Sequence, residues 1–193
     1  MWFKPIQSPT PTPSTATTVT YTADVQGVSI SGQSFNTTLA LTSSDTLASG
    51  TSYSYEAQFR IYVYRGTGYC TNITIAIVNS GGTVLQTLFN GVPSNSRLGG
   101  SNKYTDGDYI SFGWDTTPTH DNTARVTSVS TNYATSNTVY LKISGTFSYE
   151  GSFGYRFEYI GERLLLRCTS NGTASSSSSS SSSVQQCDVF YVP

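Results

Sequence analysis

The chain has 193 residues, of which only 11% are charged, with ten Lys and Arg set against eleven Asp and Glu. That length supports one sizeable domain with a real core and leaves no room for a second. So even a balance of charge gives no footprint for displacing counterions from nucleic acid, which is not an expected partner. No stretch of about 20 apolar residues is present to cross a bilayer as a helix.

Residues 1–17 read as an apolar anchor followed by a Pro/Thr-rich tether. Four of the seven prolines fall before Ser14, and Pro9, Pro11 and Pro13 alternate with threonine, a pattern that favours extended polyproline II and cannot join a sheet ladder. Ahead of them stand Trp2, Phe3 and Ile6. Such a concentrated apolar cluster on a terminus suits an anchor that docks into a neighbouring subunit; the alternative is that it folds back on its own domain. No basic stretch followed by an apolar segment marks a secretory signal. With Met1 as the start, the expected route to an outside surface is assembly or lysis.

From Thr18 the chain reads as strand after strand, a β-sandwich domain over residues 18–193. The clearest run is Tyr53 to Arg65, where Tyr53, Tyr55, Ala57, Phe59, Ile61 and Val63 share one face and Ser54, Glu56, Gln58 and Arg60 the other. The same period of two recurs in Val19, Tyr21, Ala23, Val25; in Ile73, Ile75, Ile77; in Ile110, Phe112, Trp114; and in Val139, Leu141, Ile143. Further runs are Phe35 to Leu41, Thr83 to Phe89, Arg125 to Ser130, Phe153 to Ile160, Leu164 to Cys168 and Val184 to Val192. Gly66-Thr67-Gly68, Ser80-Gly81-Gly82, Gly99-Gly100, Asp106-Gly107-Asp108 and Glu150-Gly151 punctuate them as turns. Regular turns between alternating strands predict an all-β fold of two packed antiparallel sheets, a single jelly roll in preference to an immunoglobulin-like sandwich.

Near the carboxyl end, residues 171–183 form a loop containing nine consecutive serines, Ser175 to Ser183. Cys168 and Cys187 bracket it. Two readings stay open: a disulfide across the loop, worth about 3 kcal/mol by loop entropy, or three buried thiols including Cys70. The cysteine spacing matches no zinc site, and no metal or cofactor is expected.

Catalytic chemistry has little to build on. His120, the one histidine, sits in a loop beside Asp121, with no nucleophile elbow such as G-x-S-x-G in the chain. Glu56, Glu150 and Glu158 fall on the polar phase of their strands and are expected to be solvated carboxylates. Asp106-Gly107-Asp108 offers two oxygens to calcium, which wants six to eight, and reads better as a tight turn. Asn36, Asn72 and Asn171 begin N-glycosylation patterns that matter only on a eukaryotic secretory route. The most informative side chains are the fourteen tyrosines. Tyr62, Tyr64, Tyr109 and Tyr140 lie on the polar phase of strands, where a flat ring with a hydroxyl suits protein interfaces and also stacking on sugars.

The segment Gly50-Thr51-Ser52-Tyr53-Ser54-Tyr55-Glu56-Ala57-Gln58-Phe59, followed by Ile73-Thr74-Ile75-Ala76-Ile77 and closed by Cys187-Asp188-Val189-Phe190-Tyr191-Val192, resembles the strand pattern of carbohydrate-binding jelly-roll modules. The layout of apolar arm, proline tether and charge-poor Ser/Thr/Asn-rich jelly roll is similar to that of minor capsid and other virion surface proteins. That second likeness implies a non-enzymatic structural component of a virion or extracellular surface. Its partners would be other capsid or surface-assembly proteins, held through Trp2, Phe3 and Ile6 and through outward tyrosines. The first implies a glycan-binding or adhesive module that stacks sugars on Tyr62, Tyr64 or Tyr140.

Overall fold

The computed structural model describes residues 16–25, 29–30, 32–47, 52–114, 120–134, 136–157 and 164–170. The arm with Trp2, Phe3 and Ile6, the serine run, Cys187, the expected strand at 184–192, and Glu158 and Asn171 lie outside the described residues.

The strands are β1 (Thr18–Ala23), β2 (Ser29–Ile30), β3 (Ser34–Thr42), β4 (Tyr53–Arg65), β5 (Thr67–Val78), β6 (Val84–Gly91), β7 (Lys103–Thr105), β8 (Tyr109–Phe112), β9 (Ala124–Val129), β10 (Thr138–Tyr149), β11 (Gly154–Phe157) and β12 (Leu164–Ser170), with one 3-10 turn at Ser96–Leu98 among the described residues. Every pairing between these strands is antiparallel. The expected all-β, jelly-roll-like sandwich is what forms, wrapped nearly into a barrel.

One strand belongs to both sheets. The first half of β4 pairs with β12 and β9, and through β12 the larger sheet continues as β1, β3, β10, β5 and β6. Its second half pairs with β8 on one side and β11 on the other, and β2 extends β11. Alternation holds along the whole strand: Tyr53, Tyr55, Ala57, Phe59, Ile61 and Val63 are all buried. At its end the chain turns a corner at Gly66, whose φ of +79° suits glycine. A Cβ there would run into the Ser152 carbonyl oxygen.

Across the interior runs a chain of rings from different strands. Phe89 of β6 meets Phe112 of β8 edge-on at 4.9 Å, Phe112 stacks on Phe59 of β4 at 5.2 Å, and Phe59 touches Phe157 of β11 at 6.1 Å. Phe157 meets Phe35 of β3, which joins the group of Phe147 and Tyr155, 4.2 Å apart. Each such pair is worth about 0.5–1.5 kcal/mol beyond its buried area, so the rings bind six strands into one core.

Several tyrosines serve this interior rather than a surface. Tyr21, Tyr53, Tyr55, Tyr104 and Tyr155 are fully buried. The Tyr21 hydroxyl donates to the carbonyls of Ala134 (3.0 Å) and Ser136 (2.9 Å), that of Tyr155 donates to Gly32 (2.7 Å), and that of Tyr55 accepts from the Tyr133 amide (2.9 Å). Phenylalanine would fill the same space and leave those loop groups unpaired. Burial pushes the Tyr21, Tyr55, Tyr104 and Tyr155 hydroxyls above the usual tyrosine range.

Two expectations need correction. Trp114 does not continue the inner face of Ile110 and Phe112: β8 ends at Phe112, and the indole lies over the Arg167 guanidinium, 4.2 Å from ring centroid to Cζ. The Gly66-Thr67-Gly68 turn is shorter than expected, because β5 already begins at Thr67. Gly68 is needed inside that strand since the Phe153 ring occupies the place of a Cβ.

Cys70 and Cys168 are completely buried, and burial pushes each thiol up to about 12. Neither should react with iodoacetamide at pH 8 in the native protein, while both should after unfolding in reductant. A Cys168 that stays unreactive in denaturant without reductant would instead mark the disulfide to Cys187. As thiols they hold stability fully below the unfolded value near 9. That stability is lost as pH climbs toward 12, at up to about 1.4 kcal/mol per pH unit for each. Urea unfolding between pH 8 and 11, compared with a Cys70→Ser variant, measures the slope. Gly66→Ala should cost more than about 1 kcal/mol in the same assay.

Candidate functional site

Because β4 alternates, its outer side chains form a stripe that both neighbouring strands extend. In the larger sheet Glu56 stands in register with Arg125 of β9 on one side and Arg167 of β12 on the other. Arg167 donates to Glu56 Oε2 at 2.6 Å, and their side chains are 35% and 8% exposed. Glu56 is therefore not the solvated carboxylate its polar phase suggests. The partner that lets it be buried lies 111 positions away in the chain. The neighbouring outward residue, Gln58, is buried too, and its side-chain oxygen accepts from the Trp114 amide at 3.4 Å. Gln58 thus holds the indole that covers one face of Arg167.

Beside this pair opens a cleft of about 420 Å³ lined by Thr18, Ser54, Glu56, Arg125, Arg167 and Thr169. Within this lining the hydroxyls of Thr18 and Thr169 are 3.2 Å apart. Arg125 is exposed.

Along the second half of β4 the stripe turns aromatic. Tyr62 lies between Tyr109 of β8 and Arg156 of β11 in one cross-strand row. The two rings are 5.1 Å apart, Arg60 stands 5.4 Å over Tyr109, and Arg156 lies 5.6 Å over Tyr62 and 5.4 Å over Tyr64. Tyr64 is 44% exposed and packs on Gly154, where any Cβ would meet its ring. Of the three tyrosines proposed from the sequence as contact residues, Tyr62 and Tyr64 are brought together. Tyr140 stands apart on β10, in register with Ala40 and Val78.

A third surface is an edge of the larger sheet: among the described residues β6 ends the strand order and pairs with β5 alone, through two register irregularities. It contains no charged residue. Val84 and Leu85 on it, and Val92 and Leu98 just beyond, are 40–55% exposed.

The Asp106-Gly107-Asp108 segment goes to structural work. Asp108 is buried, paired with Arg97 at 2.8 Å and accepting from the Thr105 amide at 2.8 Å and from Asn95 Nδ2 at 3.2 Å, so the Asp-Gly-Asp segment is a locked turn. His120 and Gln58 both pack against Gly113, where a Cβ would meet each of them. The Asp121 amide donates to Ser111 Oγ at 2.9 Å. Among the described residues no group of three or more His, Cys, Asp or Glu could hold a metal ion, and no helix is long and apolar enough to cross a membrane.

No family model matches the chain, and no curated protein sequence does. Among solved structures it is similar to a structure of infectious bursal disease virus Gx strain, with 13% identity, a TM-score of 0.35, and 84% of this chain aligned to 38% of that one. It is also similar to the VP2 subviral particle of infectious bursal disease virus, at 14% identity and a TM-score of 0.32, over 90% of this chain and 41% of that one. The Gt strain structure gives 15% identity and a TM-score of 0.28, over 90% and 42%. The chain thus spans about two-fifths of the length of these proteins.

Removing Arg167 strands a buried carboxylate, whereas removing Glu56 leaves a guanidinium that still reaches solvent. Arg167→Met should therefore cost about 3 kcal/mol, the low end for a broken buried pair. Glu56→Gln should cost clearly less, and Glu56→Gln with Arg167→Met should recover part of the loss. Chemical denaturation of the three variants measures this.

Proposed function

We propose that the protein is a non-enzymatic building block of a virion shell or comparable surface assembly, making lateral contacts through the β6 edge. The observation that carries this reading is the character of that edge. An unpaired strand presents a row of amide and carbonyl groups, and proteins that stay monomeric usually guard it with lysine, proline or cover. Here Val84 to Gly91 has no charge and no proline, and apolar side chains stand out from it. A second copy of the chain, offering the same edge antiparallel, would satisfy the backbone groups and cover Val84 and Leu85. The Tyr62, Tyr64 and Tyr109 face offers a further flat contact of the kind enriched in interfaces. Trp2, Phe3 and Ile6 remain the proposed anchor to a neighbouring subunit, with the proline stretch as tether.

A glycan-binding role stacked on Tyr62 or Tyr64 is less favoured by the geometry, because the Arg156 guanidinium already lies over both rings.

Val84→Lys combined with Leu85→Lys should leave the circular dichroism spectrum unchanged and convert assemblies of the full chain into monomers by light scattering. Wild-type protein that is monomeric at every concentration, or a double variant that still assembles, would refute the edge contact. Deleting residues 1–13 should leave the domain folded and abolish its incorporation into larger particles, and unchanged incorporation removes the anchor.

A further inference from the structure

We propose that the cleft beside the Glu56 and Arg167 pair binds the carboxylate of an acidic sugar residue, with Arg125 as the principal cationic contact. Two guanidinium groups against one carboxylate leave the lining with a net charge of +1. The charges are not equivalent. Glu56 is engaged by Arg167 at 2.6 Å, and Arg167 Cζ lies 4.2 Å from the centroid of the Trp114 ring. Arg125 has no ion-pair or hydrogen-bond partner among the described residues and stands exposed in the same row. Held between the Glu56 carboxylate and the Trp114 ring, Arg167 adds a positioned donor with further N–H groups to offer, and Arg125 adds an uncommitted charge.

The rest of the lining selects the class of anion. Ser54, Thr18 and Thr169 contribute hydroxyls, which both donate and accept, and no lysine lines the cleft. A bare inorganic anion would use the arginines alone. A carboxylated pyranose would use the arginines for its acid group and the hydroxyls for its own hydroxyl groups. The size agrees, since small-molecule clefts begin at about 300 Å³, and this one, about 420 Å³, suits one or two sugar rings. This inference stands apart from the assembly reading, because Arg125 is on β9 and the apolar edge is β6.

The test is a titration of the full chain, followed by NMR, with sialyllactose and a glucuronate disaccharide as acidic sugars, lactose as the neutral counterpart and inorganic sulfate as the bare anion. Either acidic sugar should bind roughly tenfold or more tightly than lactose and than sulfate, and which of the two binds identifies the sugar source. Arg125→Ala should weaken that binding by roughly tenfold, with Arg125→Lys in between. Thr169→Val should weaken the sugar and leave any sulfate affinity unchanged. Equal binding of lactose, sulfate as tight as the sugars, an acidic peptide that outcompetes both, or an Arg125→Ala variant that binds like wild type would each overturn the proposal. Light scattering on the same variants separates this outcome from that of the assembly reading.

Discussion

The alternation of β4 is the constraint on which the other features rest. Because the strand crosses from one sheet to the other, its inward residues from Tyr53 to Val63 supply core to both, and its outward residues from Ser54 to Tyr64 supply the surface of both. A slip of one residue would place Glu56, Gln58 and Arg60 in the interior and six apolar side chains in water. At about 1.5–3 kcal/mol for each large apolar side chain, that difference is comparable to the whole stability of a typical domain. The register of β8, β9, β11 and β12 against β4 is pinned by the same condition, so the rows across the outer face follow from it.

Aromatic residues divide into two kinds of work. Buried tyrosines fill core volume like phenylalanine and use their hydroxyls to hold loop backbone, as Tyr21 and Tyr55 do for the segment around residues 131–136. Three tyrosines on the outer face of β4 and β8 are capped by arginines: Arg156 spans Tyr62 and Tyr64 while Arg60 covers Tyr109. A high tyrosine count therefore measures core and clamp as much as interface. The surfaces left for partners are of opposite kinds, an apolar strand edge without charge and a small cationic cleft lined with hydroxyls. The first suits a protein neighbour and the second a polar ligand.

Period-two runs made the strands legible, because a half-buried strand has to alternate. β1, β4 and β10 fall where the period puts them, and β3, β6, β9 and β12 fall on the further β-type runs, which carry no strict alternation. Short strands were not legible. β7 has three residues, too few to show a period, and it exists because β5 extends far enough back to pair with it. The pattern also failed at Trp114, where two positions past Phe112 is no longer a strand and parity carries no meaning. Glu56 looked solvated because nothing in its neighbourhood along the chain announces Arg167.

What the sequence alone determined is thus the class of fold and the inner face of each long strand, since both follow from local alternation and from glycines at corners. It also determined which edge residues are uncharged. Only the tertiary structure decided which strands become neighbours, and with that the Arg125, Glu56 and Arg167 row, the indole over Arg167 and the exposure of β6. Such contacts join residues up to 111 positions apart. Their energies depend on a pairing order that is a property of the closed sheet rather than of any segment in it.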